Sequence, residues 1–476
     1  MARVLALLLL ACLAACQLAP PHTRPALPAP AVYPEAYEAE PGANGVRAPE
    51  LRWRDFFTDP RLEALVAAAL TRNRDLVSAV AQVEEARGTY RIQHADVLPT
   101  LSASAEVTRV RTSAANARRG LGDGAGFAVG TSGTSDFYSV DVGVSVFELD
   151  FWGRVRNLTE AARAEYLATA EAARAFRLSL IRDVAFAYLT SREATERIEL
   201  AEATVQSRRD ELRLAQRRMD SGVTSELDFR QAETLLTQAE TELAALRFTQ
   251  AQSDNLLTTL VGGPLDEPLP PAKSLAEQLH VQRLASGLPS ELLEVRPDVL
   301  AAEERLRAAR ANIGAARAAY FPSITLTGRY GYASTELSNL VGEEGNTWNF
   351  GPVIDVPIFD FGRRGGNLTV ARARERITLA DYERTIQTAF QEVSDALAGR
   401  RYLAEQVAAQ ERGALAQRRL AELARKRYLE GVVSYLEVLD AERTLFDSEQ
   451  ALLQLRRAEA ANLVSLYVAL GGGAID

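Results

Sequence analysis

Two periodicities alternate along this chain, and the whole programme then repeats. Apolar residues first recur at helical spacing, through Leu62, Leu65, Val66 and Leu70 and again from Asp75 to about Val97. Pro99 stops that pattern and the period falls to two. Leu101, Ala103, Ala105 and Val107 alternate with Ser102, Ser104, Glu106 and Thr108. Such alternation predicts a strand with one apolar and one polar face. Residues 112–135 hold little but Gly, Ser, Thr and Ala and read as a long loop. A second strand follows, with Tyr138, Val140, Val142, Val144 and Val146 on its apolar side. From Asp150-Phe151-Trp152-Gly153 helical spacing returns and continues without proline to Asp220. A helix of that length is about 100 Å long. Past Gly222 the helix comes back, to about Leu260, along a seam of Ala232, Leu236, Ala239, Leu243 and Leu246. That 4-3-4-3 spacing is the signature of a coiled-coil seam.

The second pass aligns with the first. Phe321-Pro322 falls on Leu98-Pro99, and a strand with Ile324, Leu326, Tyr330 and Tyr332 on one face follows. The next strand carries Trp348, Phe350, Ile354, Val356 and Ile358 on one face. Asp360-Phe361 matches Asp150-Phe151, and a long helix runs to Leu429. Its return helix has the seam Ala441, Leu445, Ser448, Leu452 and Leu455, position for position the first one. The turns between long helices align without a gap. Gly222 falls on Gly431, Val223 on Val432, Ser225 on Ser434 and Leu227 on Leu436. Glycine ends one helix by taking positive φ, and serine is a favoured first cap of the next, so both turns read as helical hairpin tips.

These elements set the expected organisation. Residues 1–15 form a signal peptide and 16–56 an extended tether rich in Pro and Ala. Residues 57–290 are a first repeat, with strands at about 100–110 and 137–148 and a hairpin over 152–261. Residues 291–476 are a second, with strands at about 323–333 and 348–359 and a hairpin over 362–470.

Composition narrows the class. At 476 residues, 25% charged and net −9, the chain is neither disordered nor basic, and its 54 Lys and Arg alternate with acids. Nucleic acid is excluded as a partner by that pattern. At the N-terminus Arg3 precedes an apolar stretch, Val4 to Ala11, too short to span a bilayer. It ends in Leu13-Ala14-Ala15-Cys16, which looks like a bacterial lipoprotein signal with Cys16 as the acylated residue; Cys12 is a poorer match. Gln17 after Cys16, rather than Asp, points to the outer membrane. No cysteine follows Cys16, so neither a disulfide nor a thiolate metal site is available. No later apolar run is long enough for a membrane helix.

Four amphipathic strands cannot close a membrane barrel, whose smallest form has about eight, and open edges are not tolerated in hydrocarbon. Sister copies must supply the rest: two would give eight strands and three would give twelve. No catalytic constellation stands out. His22, His94 and His280 lie in three separate contexts, Gly122 to Gly126 lacks the Lys-Ser/Thr of a phosphate loop, and no metal-ligand or nucleophile motif is present. A chain of this kind needs no cofactor.

Arg296-Pro297-Asp298-Val299, Phe321-Pro322-Ser323-Ile324, Asp360-Phe361-Gly362-Arg363, Leu436-Glu437-Val438-Leu439-Asp440-Ala441 and the duplicated tips resemble, together, the outer-membrane efflux proteins of the TolC/OprM/NodT class. The resemblance covers nearly all of the chain from Cys16. It implies an α+β membrane protein: a homotrimer with a twelve-stranded barrel continued by a periplasmic helical barrel. A periplasmic adaptor and an inner-membrane pump are the implied partners, and the outer-membrane lipid is the surroundings. Carried over residue by residue, it implies an entrance ring at Leu436, Glu437 and Asp440 and a latch between Tyr428 and Asp228. It also implies adaptor contacts at Gly222, Val223, Ser225, Gly431, Val432 and Ser434. The family's arginine beyond the second tip is here Val433. A conduit for type I protein secretion uses the same fold, and a lipidated structural stalk is the distant alternative.

Overall fold

A computed structural model describes residues 18–30, 32–33, 46–113, 133–264, 268–279, 284–285 and 292–473. Cys12 and Cys16, His280 and the Gly122–Gly126 stretch lie outside the described residues. In chain order the elements are β1 (Val46–Arg47), α1 (Trp53–Phe56), α2 (Pro60–Arg72), α3 (Arg74–Ala95), β2 (Leu101–Thr112), β3 (Gly133–Glu148), α4 (Arg154–Asp220), α5 (Glu226–Val261), β4 (Leu284–Ala285), α6 (Leu292–Val295), α7 (Pro297–Ala318), β5 (Ser323–Ser334), β6 (Asn346–Asp355), α8 (Arg363–Leu429) and α9 (Tyr435–Ala469). No helix among the described residues is long and apolar enough to cross a membrane. The chain divides into two compact units, one built on residues 85–166 and 304–379 with the first 24 residues, the other on residues 25–84, 167–303 and 380–476.

The first unit holds the four amphipathic strands in one antiparallel sheet of order β2-β3-β5-β6. Register keeps the apolar side chains on one face: Leu101 opposes Val144, Val142 opposes Tyr330, and Tyr330 opposes Trp348. That face is uncovered in the single chain, with Leu101, Val107, Trp348, Phe350 and Ile354 exposed. β2 and β6 each pair on one side only. Two glycines let β3 and β5 lie together. A Cβ on Gly143 would stand 2.3 Å from the Gly328 carbonyl oxygen, and one on Gly331 2.2 Å from that of Val140.

Two details of the strands differ from the alternation alone. The register slips between Val144 and Phe147, so Phe147, not Val146, opposes Leu326; a bulge inserts one residue and changes the face of those beyond it. β6 ends at Asp355, leaving Val356 and Ile358 beyond it, because Pro357 has no N–H to continue a ladder. Below the sheet, Trp152 donates its indole N–H to the Pro322 carbonyl (2.8 Å) and stacks on Phe321. Ala161 and Ala164 of α4 pack on Ala308 and Ala311 of α7.

In the second unit the long helices form two hairpins. α4 and α8 each have 67 residues, and α5 and α9 have 36 and 35. The duplication is carried into the cross-links. Arg209 reaches Glu240 (2.8 Å) as Arg418 reaches Glu449 (2.6 Å), and Arg247 reaches Glu202 (2.7 Å) as Arg456 reaches Glu411 (2.9 Å). The first seam is buried at Ala232, Ala239, Leu243 and Leu246, and Leu236 packs beside it. The matching positions of α9 are only half-buried.

The stretch expected to be a tether is more structured than its proline content suggests. Its described part is extended at residues 18–30 but held in place. Arg317 donates to the Leu18 carbonyl and Arg310 to that of Thr23, both at 2.8 Å, and Tyr33 is buried and stacked on Phe390. β1 pairs in parallel with β4, and Trp53 and Phe56 of α1 are buried, the latter stacked 4.1 Å from Tyr467. Aromatic side chains at 33, 53, 56 and 57 bury apolar area that composition averaged over the segment conceals.

α2 starts at a capped N-terminus: Asp59 accepts from the Arg61 N–H (2.8 Å), with Pro60 at the first helical position. The same fully buried carboxylate accepts from the Tyr188 hydroxyl (2.5 Å), the Lys273 N–H (3.1 Å) and Gln278.

Candidate functional site

The two tips have one backbone. The N–H of Gly222 bonds the Met219 carbonyl and that of Val223 the Arg218 carbonyl; the N–H of Gly431 bonds that of Tyr428 and that of Val432 that of Arg427. This paired closure, with the glycine left-handed, is the Schellman ending of a helix. Gly222 has φ +72° and Gly431 +73°, and a Cβ on either would meet nothing, so only the backbone angle calls for glycine. Ser225 and Ser434 occupy the first cap of α5 and α9, but neither hydroxyl makes the capping bond. Val223 and Val432 project into solvent, 65% and 63% exposed. All six tip residues singled out by sequence are exposed.

What the side chains hold differs between the tips. Tyr428 and Asp228 are not brought together. Asp228 takes the hydroxyl of Thr224, one turn away on its own hairpin. Tyr428 accepts from Arg218 Nη1, and the Arg218 guanidinium lies over its ring, 5.4 Å from the centroid. The tips are therefore tied across hairpins by Arg218 to Tyr428 in place of Asp228 to Tyr428. Arg218 precedes its tip by four residues and reaches the neighbouring hairpin, whereas Asp228 is satisfied locally. The only clue to Arg218 in the sequence is its alignment with Arg427.

Leu436, Glu437 and Asp440 share the exposed start of α9. Each acid has an arginine of its own chain: Arg427 Nη1 lies 2.7 Å from Glu437 Oε1, and Arg443 Nη2 lies 2.7 Å from Asp440 Oδ1. A ring of these residues would thus carry alternating charge, with the carboxylates uncovered only where the arginines move aside.

Sequence reading also missed a buried ionic seam between α4 and α9, just above the tips. Arg208, 4% exposed, stands between Glu211 (2.9 Å) and Glu442 (2.8 Å). Higher along the same helices Arg457 reaches Glu193 (2.5 Å), and Arg197 joins Glu193, Glu242 and Gln450. Burial pushes the Glu442 carboxyl up to about 7, and nearby Glu211 adds to this against the pull of Arg208 and Arg425. Burial, then the charge of Glu211, also raises the Tyr435 phenol. These residues lie far apart in sequence and at ordinary helical positions, so no local spacing marks them.

An open-edged sheet whose apolar face is bare, in a chain with two equal hairpins of about 100 Å, fits a wall assembled from several copies. The outer membrane efflux protein family matches the chain over residues 65–263 and 288–472. The chain belongs to the outer membrane efflux protein family. Among curated relatives, the cation efflux system protein CusC of Escherichia coli O6:H1 is 39% identical over 462 residues, covering 97% of this chain and 96% of that protein. The probable efflux pump outer membrane protein TtgC of Pseudomonas putida is 40% identical over 466 residues, covering 97% and 93%. Among solved structures, the open state of the Neisseria gonorrhoeae MtrE outer membrane channel superposes with a TM-score of 0.85 at 37% identity, covering 96% of this chain and 99% of that one. The fold is that of these channels, and the chain is an outer-membrane efflux duct of the same family.

Proposed function

We propose that three copies of this chain close one twelve-stranded barrel and one helical entrance, and that the duct works passively between a periplasmic adaptor and the exterior. The observation that carries this is the sheet itself: four strands, two open edges and an uncovered apolar face. Lipid covers that face, and β2 of one copy supplies the partner that β6 of another lacks. The exposed tips around Val223 and Val432 are the adaptor-docking surface, and the energy for transport comes from the inner-membrane pump that the adaptor serves. Leu436, Glu437 and Asp440 narrow the entrance, with Arg427 and Arg443 tempering its charge. Acylation at Cys16 anchors the chain to the inner leaflet of the outer membrane.

Relatives whose names give quite different cargo, a cation for CusC and efflux without stated cargo for TtgC, match this chain almost equally well. Their similarity supports a duct that takes whatever its pump delivers. The test is paired. Purified protein in a planar bilayer is expected to show discrete ion-conducting steps, and a deletion strain is expected to become sensitive to small toxic compounds. Protein that stays monomeric and water-soluble would overturn the reading; loss of a secreted protein without such sensitivity would assign the duct to protein export. Cys16→Ala is expected to abolish incorporation of labelled fatty acid.

A further inference from the structure

The duplicated hairpins supply a template for a contact that a single chain cannot make. Within the chain, α4 of the first hairpin packs on α9 of the second. Exchanging the repeats turns α4 into α8 and α9 into α5, so the same packing recurs between α8 of one copy and α5 of the next. The ungapped alignment that puts Gly222 on Gly431 also superposes the four cross-links within the hairpins, Arg209–Glu240 on Arg418–Glu449 and Arg247–Glu202 on Arg456–Glu411. The equivalence therefore holds along the helices, not only at the tips.

Applied to the seam, it gives a different chemistry. Arg457 of α9 falls on Phe248 of α5, and Glu193 of α4 falls on Tyr402 of α8. Where the chain's internal contact is an ion pair at 2.5 Å, its counterpart is two aromatic rings. Both rings are exposed in the single chain, Phe248 at 64% and Tyr402 at 44%. At the lower level Arg208 falls on Gln417 and Glu211 on Leu420, and Leu420 too is exposed. Charges within the chain are thus replaced by apolar and neutral groups on the faces it leaves open.

We infer that Phe248 of one copy packs against Tyr402 of the next, making an aromatic contact between copies at the level where Arg457 and Glu193 pair within each copy. This rests on the reading that copies close a ring. An aromatic pair contributes attraction beyond its buried area and is insensitive to salt. It also sorts the partners. Glu193 suits Arg457 and rejects Phe248, so the two kinds of seam cannot be exchanged, and hairpins alternate around the ring in one order.

The test uses two full-length, differently tagged chains expressed together, one carrying Phe248→Cys and the other Tyr402→Cys, treated in membranes with a short thiol crosslinker. The expected product is a covalent species containing both tags, absent when either variant is expressed alone. A second test transplants the internal chemistry: Phe248→Arg alone is expected to lose most of the trimer on a native gel, and Phe248→Arg with Tyr402→Glu to recover it. Trimer without the mixed crosslink, and without recovery in the double variant, would overturn this contact while leaving the duct intact. A wild-type chain that stays monomeric would overturn both readings.

Discussion

The two hairpins share a length, a tip backbone and two pairs of cross-links, yet one hairpin carries its charges inward and the other does not. Arg208 of α4 is buried between two carboxylates, whereas its counterpart Gln417 on α8 is neutral. At the tips, Asp228 is held by Thr224 of its own hairpin while Glu437 is held by Arg427. Duplication has kept what backbone geometry demands and released what side chains can vary. A position that must adopt left-handed φ stayed glycine twice; a position that only needs a partner found a different one each time.

The sharpest way to break this contrast is at its charged side. Arg208→Ala leaves Glu211 and Glu442 facing each other in a buried seam and is expected to cost about 3–5 kcal/mol, whereas Gln417→Ala should stay within about 0.5 kcal/mol; melting of the helical signal by circular dichroism checks both. The shared side is probed by Gly222→Ala and Gly431→Ala. Each forces a Cβ into left-handed backbone at a cost of roughly 1–2 kcal/mol, and equal losses are expected because neither site has a steric neighbour. A double-mutant cycle on Arg218→Ala and Tyr428→Phe is expected to give a coupling of about 1 kcal/mol. The same cycle on Asp228→Ala and Tyr428→Phe should give none; coupling there instead would restore the latch expected from the family.

Glu442 adds a pH dependence peculiar to the ionic seam. Its folded carboxyl lies near 7, above the ordinary 4.5. The folded state therefore holds this proton more tightly than the unfolded chain does. The seam is most stable below about 4.5, and that contribution is lost as pH rises through about 7. Acidifying from pH 7.5 to 5.5 is expected to raise the melting temperature of the wild type, and Glu442→Gln should remove most of that rise. Last and smallest, Arg427→Ala uncovers Glu437 at the entrance and is expected to increase cation over anion permeability modestly in bilayer recordings, with no effect on trimer yield.

The parts legible from sequence are those set by repetition at short range. Alternation from Leu101 to Val107 gave a strand, Pro99 and Pro322 marked where helix gives way to strand, and Gly222 and Gly431 marked the tips. The bulge between Val144 and Phe147 was hidden because valine at both 144 and 146 preserves an unbroken alternation. The docked start of the chain was hidden because its bonds are accepted by backbone carbonyls of Leu18 and Thr23, which every residue type possesses. Arg218, Arg208 and Glu442 were hidden for a third reason. On a helix rich in arginine and glutamate, nothing local tells a solvated charge from one facing a helix two hundred residues away.

Asp59 has one more implication. Its single carboxylate fastens the start of α2, the Tyr188 hydroxyl partway down α4, and the connector at Lys273 and Gln278. α4 is therefore riveted at Tyr188, and only the run from there to Asp220 is free to swing. That run is about 48 Å long. A tilt of about 5° about the rivet carries the tip sideways by about 4 Å, the width of a side chain, without disturbing a bond above the pivot.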